Sequence, residues 1–260
     1  MPSIVLRRAR LTTRCGADPA AVTLVCAPAG FGKSCVVADC LWAEGLPHVW
    51  HAIEDSDNDQ GTLLARFAAL FADVAPEAAA VLEHLAPQAR IPNAFFDALA
   101  RSRQPMVVVI DDLHLLVAEA SHAVVQQFIE HAPSALRLVL LTRVDPPFPL
   151  ARLRVAGSLR ELRESDLRFT TEETAAFFDH ALPGGLERSL SELLCDKAEG
   201  WAVGLRLAAI ALDGSPNRRD AVHAFAGTHR LVVEYLLEEV LNRQRPELQR
   251  FLLESAVFRR

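Results

Sequence analysis

The chain has 260 residues, of which 51% are hydrophobic and 23% charged, with a formal net charge of −6. This is enough apolar material for one large globular domain or two modest ones. No uncharged run approaches the roughly 18 to 20 residues of a membrane helix, Arg7, Arg8, Arg10 and Arg14 break up any signal-peptide core, and the acidic balance argues against a chain that coats nucleic acid.

Five cysteines (Cys15, Cys26, Cys35, Cys40, Cys195) show no C-x-x-C spacing. They read as reduced thiols of a cytoplasmic protein, acting mainly as small hydrophobes, with no disulfide frame or zinc site. Of the 27 basic residues only Lys33 and Lys197 are lysines, so each invites the question of why it is not arginine.

Taken in chain order, Val22–Cys26 is a short β-branched apolar run, and Cys35–Ala43 has the texture of a helix. Between them lies Ala27, Pro28, Ala29, Gly30, Phe31, Gly32, Lys33, Ser34, which meets the pattern G-x-x-x-x-G-K-[ST] with Ala in the leading position. A strand, a Gly-rich loop and a helix are the context a phosphate-binding loop requires. Gly30 and Gly32 let the backbone curl so that successive N–H groups face an anion, and the helix N-terminus adds its dipole. The expected nucleotide-binding segment is therefore Ala27 to Cys35. Lys33 supplies a compact point charge to the β- and γ-phosphates, and Ser34 offers a hydroxyl to Mg²⁺. The competing account is a chance Gly-rich turn.

His48–Ile53 reads as a strand, followed by the acidic loop Glu54–Asp59, which lacks the glycine and closing glutamate of a calcium loop. A solvated loop capping a helix over 62–74 is expected, then a further helix over 92–102. His51 and His114 read as packing or hydrogen-bonding residues, since no second soft ligand lies at regular spacing.

Met106–Leu115 opens on a continuous apolar run that ends in two carboxylates, Asp111 and Asp112. A strand without alternation is buried on both faces, as in a parallel sheet under helices, and its C-terminal end is where open α/β sheets bind ligands. Asp111 is expected to hold Mg²⁺ and Asp112 to orient or deprotonate an attacking water; a strand followed by a helix cap is the plainer alternative. The strand Leu136–Arg143 ends in Thr142 and Arg143, a polar pair placed to reach a γ-phosphate, where Arg143 distinguishes triphosphate from diphosphate by charge-assisted hydrogen bonds. An exposed arginine capping the strand end competes with that reading.

Beyond Ala156 the texture becomes helical, with helices expected over 175–181, 186–198, 201–212, 220–240 and 246–257. The arginines from Arg137 to Arg168 alternate with acids and read as a salt-bridged surface rather than a nucleic-acid patch. The expected organisation is a P-loop nucleotide-binding domain over 1–156, a helical domain over 157–227, and the start of a winged-helix domain over 228–260. The fold class is α/β, a parallel sheet flanked by helices with an all-helical domain after it. The last stretch is amphipathic and ends abruptly, as a truncated chain would.

Five segments occur in an informative order: Ala27–Ser34, Val109–His114, Leu140–Arg143, Asp166–Thr170 and Gly200–Leu205. Together they resemble the MalT-like ATPase module of the large LuxR-type transcriptional activators, members of the STAND class of signal-transduction ATPases. The resemblance spans about residues 4 to 260. It implies an ATP/ADP switch with Mg²⁺, in which an ADP-bound resting form exchanges to ATP on binding an inducer of unspecified chemistry, then self-associates and activates transcription. Lys33, Asp112 and Arg143 take the catalytic roles and Ser34 with Asp111 the metal. The Gly200–Trp201 helix start corresponds to where related switches pack a helical domain against the nucleotide, with Ala202 where some relatives have proline. DNA contact in that family belongs to a C-terminal domain absent from this chain. A small-molecule kinase and a non-hydrolysing nucleotide-binding scaffold are the other readings. A GTPase is disfavoured, because no Asn-Lys-x-Asp motif is present.

Overall fold

The structure is a computed structural model describing residues 6–16, 21–45, 47–86, 90–102, 105–227, 229–242 and 246–256. Thr228 and Val257–Arg260, which the sequence assigns to the last domain, lie outside the described residues. The chain divides into two compact units. One comprises Arg7–Pro28 and Lys33–Leu167; the other gathers Leu6, Ala29–Gly32 and the chain from Arg168 onward.

The first unit is built on the expected parallel sheet. Its strands are β1 (Val22–Cys26), β2 (His48–Ala52), β3 (Met106–Asp111), β4 (Leu136–Thr142) and β5 (Leu159–Arg163), ordered β2-β3-β4-β1-β5. All pairings are parallel. Every residue of β1 and β3 is buried, which is why both read as unbroken apolar runs. Around the sheet lie α1 (Ala9–Gly16), α2 (Lys33–Glu44), α3 (Gln60–Phe71), α4 (Pro76–Glu83), α5 (Asn93–Ser102), α6 (Glu119–His131), α7 (Ala151–Val155) and α8 (Glu164–Leu167). Phe67, Phe71, Phe95, Phe96 and Phe128, from α3, α5 and α6, form one aromatic cluster, mostly edge to face.

Two features of this unit depart from expectation. Leu159–Arg163 is a strand, although three of its five residues are charged, because it is an edge strand with only Leu162 fully buried. The acidic loop is not solvated throughout. Asp59 does cap α3, accepting from Thr62 N at 2.8 Å, but Asp57 is fully buried. Its Oδ2 accepts from Glu54 N at 2.7 Å and lies 3.0 Å from His51 Nε2, and its carbonyl accepts from Ser121 Oγ at 2.8 Å. Next to it, Asn58 donates to Leu115 O and accepts from Val117 N and Ala118 N. A buried polar group needs such partners, and here they brace the chain that leaves β3. His51 is thus a hydrogen-bonding residue, set edge-on against Phe67.

The arginine-rich segment is salt-bridged as expected. Arg137 pairs with Glu44, Arg154 with Glu161, and Arg163 with both Asp145 and Glu161. The hydrogen bond from Arg154, opposed by partial burial and reinforced by Arg163, holds the Glu161 carboxyl at about 2.

The second unit contains α9 (Thr171–Ala181), α10 (Arg188–Ala198), α11 (Ala202–Asp213), α12 (Arg218–Ala224), α13 (Arg230–Leu236, continued as a π turn through Leu241) and α14 (Pro246–Ala256). Thr170 and Glu173 form a reciprocal capping box at the start of α9. The core gathers Phe177, Phe178, Leu182, Leu194, Leu205 and Leu212 with their neighbours.

The single helix expected over 220–240 is broken between α12 and α13. Lys197 Nζ donates to the carbonyls of Val222, His223 and Phe225 at 3.0, 2.6 and 2.9 Å, so it caps the end of α12. Three carbonyls converging on one point suit an ammonium and not a planar guanidinium, which answers the question posed by this lysine. Among the described residues no helix is long and apolar enough to cross a membrane.

Candidate functional site

In the first unit, the C-terminal ends of β1, β4 and β3 bring the expected residues together. α2 opens at Lys33, which is 8% exposed. Its Nζ donates to Ala27 O at 2.9 Å and Pro28 O at 3.1 Å. Burial holds the ammonium below the usual lysine range, and the Arg143 guanidinium adds to the shift, while Asp112 and Asp111 oppose it. Residues from the ends of three elements therefore share one electrostatic neighbourhood.

The acids are placed differently from one another. Asp111 is 7% exposed; its Oδ2 accepts from Ser34 Oγ at 2.7 Å and its Oδ1 from Asp112 N at 2.8 Å. Asp112 has φ 51° and ψ 34°, the left-handed region, which aspartate tolerates better than most side chains and which turns the chain sharply out of β3. Its own side chain is 39% exposed, with the His114 ring 3.9 Å away. One carboxylate is thus fixed against the Ser34 hydroxyl and the other is open to solvent.

Of the polar pair ending β4, Thr142 does not serve the site. It is fully buried, and its hydroxyl donates to Val144 O at 2.7 Å, shaping the turn that follows. Arg143 alone carries charge to Lys33. Cys26, at the end of β1, has its thiol pushed up by burial, with Asp145 adding and Arg163 and Lys33 opposing. The Cys35 side chain is exposed on α2, so its part in the expected binding segment is confined to its main chain.

The loop tip Ala29–Gly32 groups with the second unit. Gly30 and Gly32 have φ of 80° and 79°, the conformation for which glycine is suited. Gly30 has a further constraint that the loop pattern alone does not reveal: a Cβ there would lie 2.6 Å from Trp201 Nε1 and 3.0 Å from Val203 Cγ2. Trp201 Nε1 donates to Ala29 O at 3.1 Å and Val203 N to Gly30 O at 3.0 Å. The seat of Trp201 is itself built from the later motifs. Phe169 N donates to Gly200 O at 2.9 Å, and a Cβ on Gly200 would meet Phe169 O at 2.6 Å. Sequence reasoning marked the Gly200–Trp201 helix start but did not join it to Ala29 and Gly30, because 172 residues separate Trp201 from Ala29.

No protein-family model matches the sequence. The chain is 34% identical over 247 residues to the HTH-type transcriptional regulator MalT of Serratia proteamaculans, covering 92% of this chain and 27% of that protein. It therefore spans about a quarter of the regulator's length. Among solved structures, a Walker-type ATPase of Pyrococcus abyssi superposes with a TM-score of 0.57 at 11% identity, over 92% of this chain and 77% of the other. A STAND protein with a tetratricopeptide repeat sensor from Pyrococcus horikoshii superposes with a TM-score of 0.50 at 15% identity, over 95% of this chain and 33% of its own. Over nearly its whole length, this chain is a MalT-like module with the α/β fold of P-loop ATPases.

Proposed function

We propose that this module binds adenine nucleotide with Mg²⁺ and acts as a slowly hydrolysing switch in a signal-responsive transcriptional regulator, ADP-bound at rest and ATP-bound when active and self-associating. The observation that carries this reading is the buried Lys33 ammonium, held on the loop carbonyls of Ala27 and Pro28 next to a serine hydroxyl bonded to a buried carboxylate. A cation at the start of α2, with a second following β4, suits a polyphosphate. Ser34 and Asp111 offer the hard oxygens that Mg²⁺ prefers, so the residues fit the group. When bound, Mg²⁺ neutralises phosphate charge and orients the phosphate oxygens.

The protein's own residues do the rest. Lys33 exchanges the Ala27 and Pro28 carbonyls for phosphate oxygens. Asp112, half-buried where its left-handed backbone turns the chain out of β3, orients or deprotonates a water. Arg143 donates to the terminal phosphate and so distinguishes ATP from ADP. Self-association, DNA contact through a domain outside this chain, and α13–α14 as the start of a winged-helix domain follow from the family resemblance, which also supplies the adenine preference.

Two variants test these roles. Asp112→Asn keeps a side chain that tolerates the left-handed backbone, so ATP binding is expected to persist while turnover falls by about 100-fold or more. A folded variant that no longer binds would make Asp112 structural. Arg143→Ala is expected to lower the ATP-over-ADP preference by about tenfold, the scale of one charge-assisted hydrogen bond. An unchanged ratio in calorimetry would return Arg143 to the role of a strand cap.

A further inference from the structure

The peptide unit is planar and trans, so its N–H points opposite to its C=O. The carbonyl of Ala29 shares a peptide with the N–H of Gly30, and that of Gly30 with the N–H of Phe31. Trp201 Nε1 and Val203 N hold these two carbonyls, and thereby fix two N–H groups on the opposite side of the loop. The donor is well supported. Gly204 leaves room for the indole, since a Cβ there would fall 2.7 Å from its ring. Phe169 holds Gly200, and Tyr235 of α13 packs edge-on against Trp201 with ring centroids 5.6 Å apart. Gly30 is therefore required for the approach of the indole as well as for the curl of the loop.

We infer that Trp201 is a positioning residue for the phosphate loop. Its indole N–H sets the Ala29–Gly30 peptide so that the loop presents its N–H groups to an anion, and its contact with Tyr235 makes α13 sensitive to how that loop is occupied. This rests on the nucleotide-binding reading above, but the loop geometry can be tested without nucleotide. Trp201 reaches the loop main chain only, so the role is distinct from a contact with the base.

The experiment compares wild type with Trp201→Phe, which keeps an aromatic ring and removes the donor. Amide hydrogen exchange is followed in the nucleotide-free protein at Val203, whose N–H donates to Gly30 O, and along α11 from Arg206 onward, and Mg²⁺-ADP affinity is measured by calorimetry. The expected result is exchange at Val203 faster by about tenfold, unchanged protection in α11 from Arg206 onward, and ADP affinity weaker by about tenfold, the scale of one hydrogen bond lost from a part-buried carbonyl. Wild-type exchange at Val203 overturns the inference, as does faster exchange there with unchanged affinity. General loss of protection along α11 also overturns it, by making Trp201 a packing residue only. If Trp201→Phe fails to fold, benzothienylalanine at position 201 removes the N–H with the ring shape kept and decides the same question. A wild-type chain that binds no nucleotide defeats the functional reading, and the exchange arm still decides whether Trp201 positions the loop.

Discussion

Alanine at Lys33 is expected to weaken Mg²⁺-nucleotide binding by at least about 100-fold. A charge-assisted hydrogen bond contributes about 1.5 to 3 kcal/mol, and the ammonium, with three donors on a flexible stem, can serve two phosphates at once. The variant should fold. In the nucleotide-free protein Lys33 is disfavoured by its own burial and by Arg143, so its removal relieves repulsion even as it leaves the Ala27 and Pro28 carbonyls to water. The same shift gives a pH dependence. Because the pKa lies below the usual lysine value of about 10.4, nucleotide affinity should fall as pH rises through that lowered value, sooner than an exposed lysine would allow. Calorimetry at neutral and alkaline pH, with thermal unfolding as a control for folding, checks both statements. Affinity unchanged in Lys33→Ala would remove the phosphate-loop assignment.

Phe128→Ala is expected to have the largest effect on stability. Phe128 is fully buried and is the common member of the aromatic cluster, with ring centroids 5.3 Å from Phe67, 5.6 Å from Phe95, 5.8 Å from Phe96 and 6.2 Å from Phe71. It ties α6 to α3 and α5, whose covering of the sheet keeps β3 and its acids in place. Truncating such a ring costs about 3 to 5 kcal/mol through lost burial and an unfilled cavity, a large part of the roughly 5 to 15 kcal/mol that holds a domain together. The midpoint of thermal unfolding should drop by about 10 °C or more. Phe128→Leu, which refills most of the space, should cost clearly less. A loss below about 1 kcal/mol in Phe128→Ala would mean that the cluster closes up around the gap.

The parts of the fold that were legible in the sequence are those where one physical demand dominates. β1, β3 and β4 are buried on both faces, so their composition is unmistakable, and the loop before Lys33 must be glycine-rich whichever partner it meets. Asp111 ends β3, Arg143 follows β4, and Lys33 and Ser34 open α2 after the loop that leaves β1, an arrangement anticipated by the rule that parallel sheets bind at their C-terminal edge. β5 was missed because an edge strand needs only one buried side chain, and its charged residues resemble a surface turn. Asp57 was misread because a carboxylate among five polar neighbours looks solvated until its partners Glu54, His51 and Ser121 are known. The break between α12 and α13 depends on Lys197, an α10 residue that no local pattern connects to Phe225. The link from Trp201 to Ala29 is likewise invisible to spacing, since it joins opposite parts of the chain through a main-chain carbonyl.

Whether Lys33, Ser34, Asp111 and Arg143 form a site for adenine nucleotide is decided by titration calorimetry of the nucleotide-stripped chain with ADP, ATP and GTP in Mg²⁺. One site per chain is expected, taking ADP and ATP in preference to GTP. A folded chain that binds none of the three, or that binds GTP best, would contradict it.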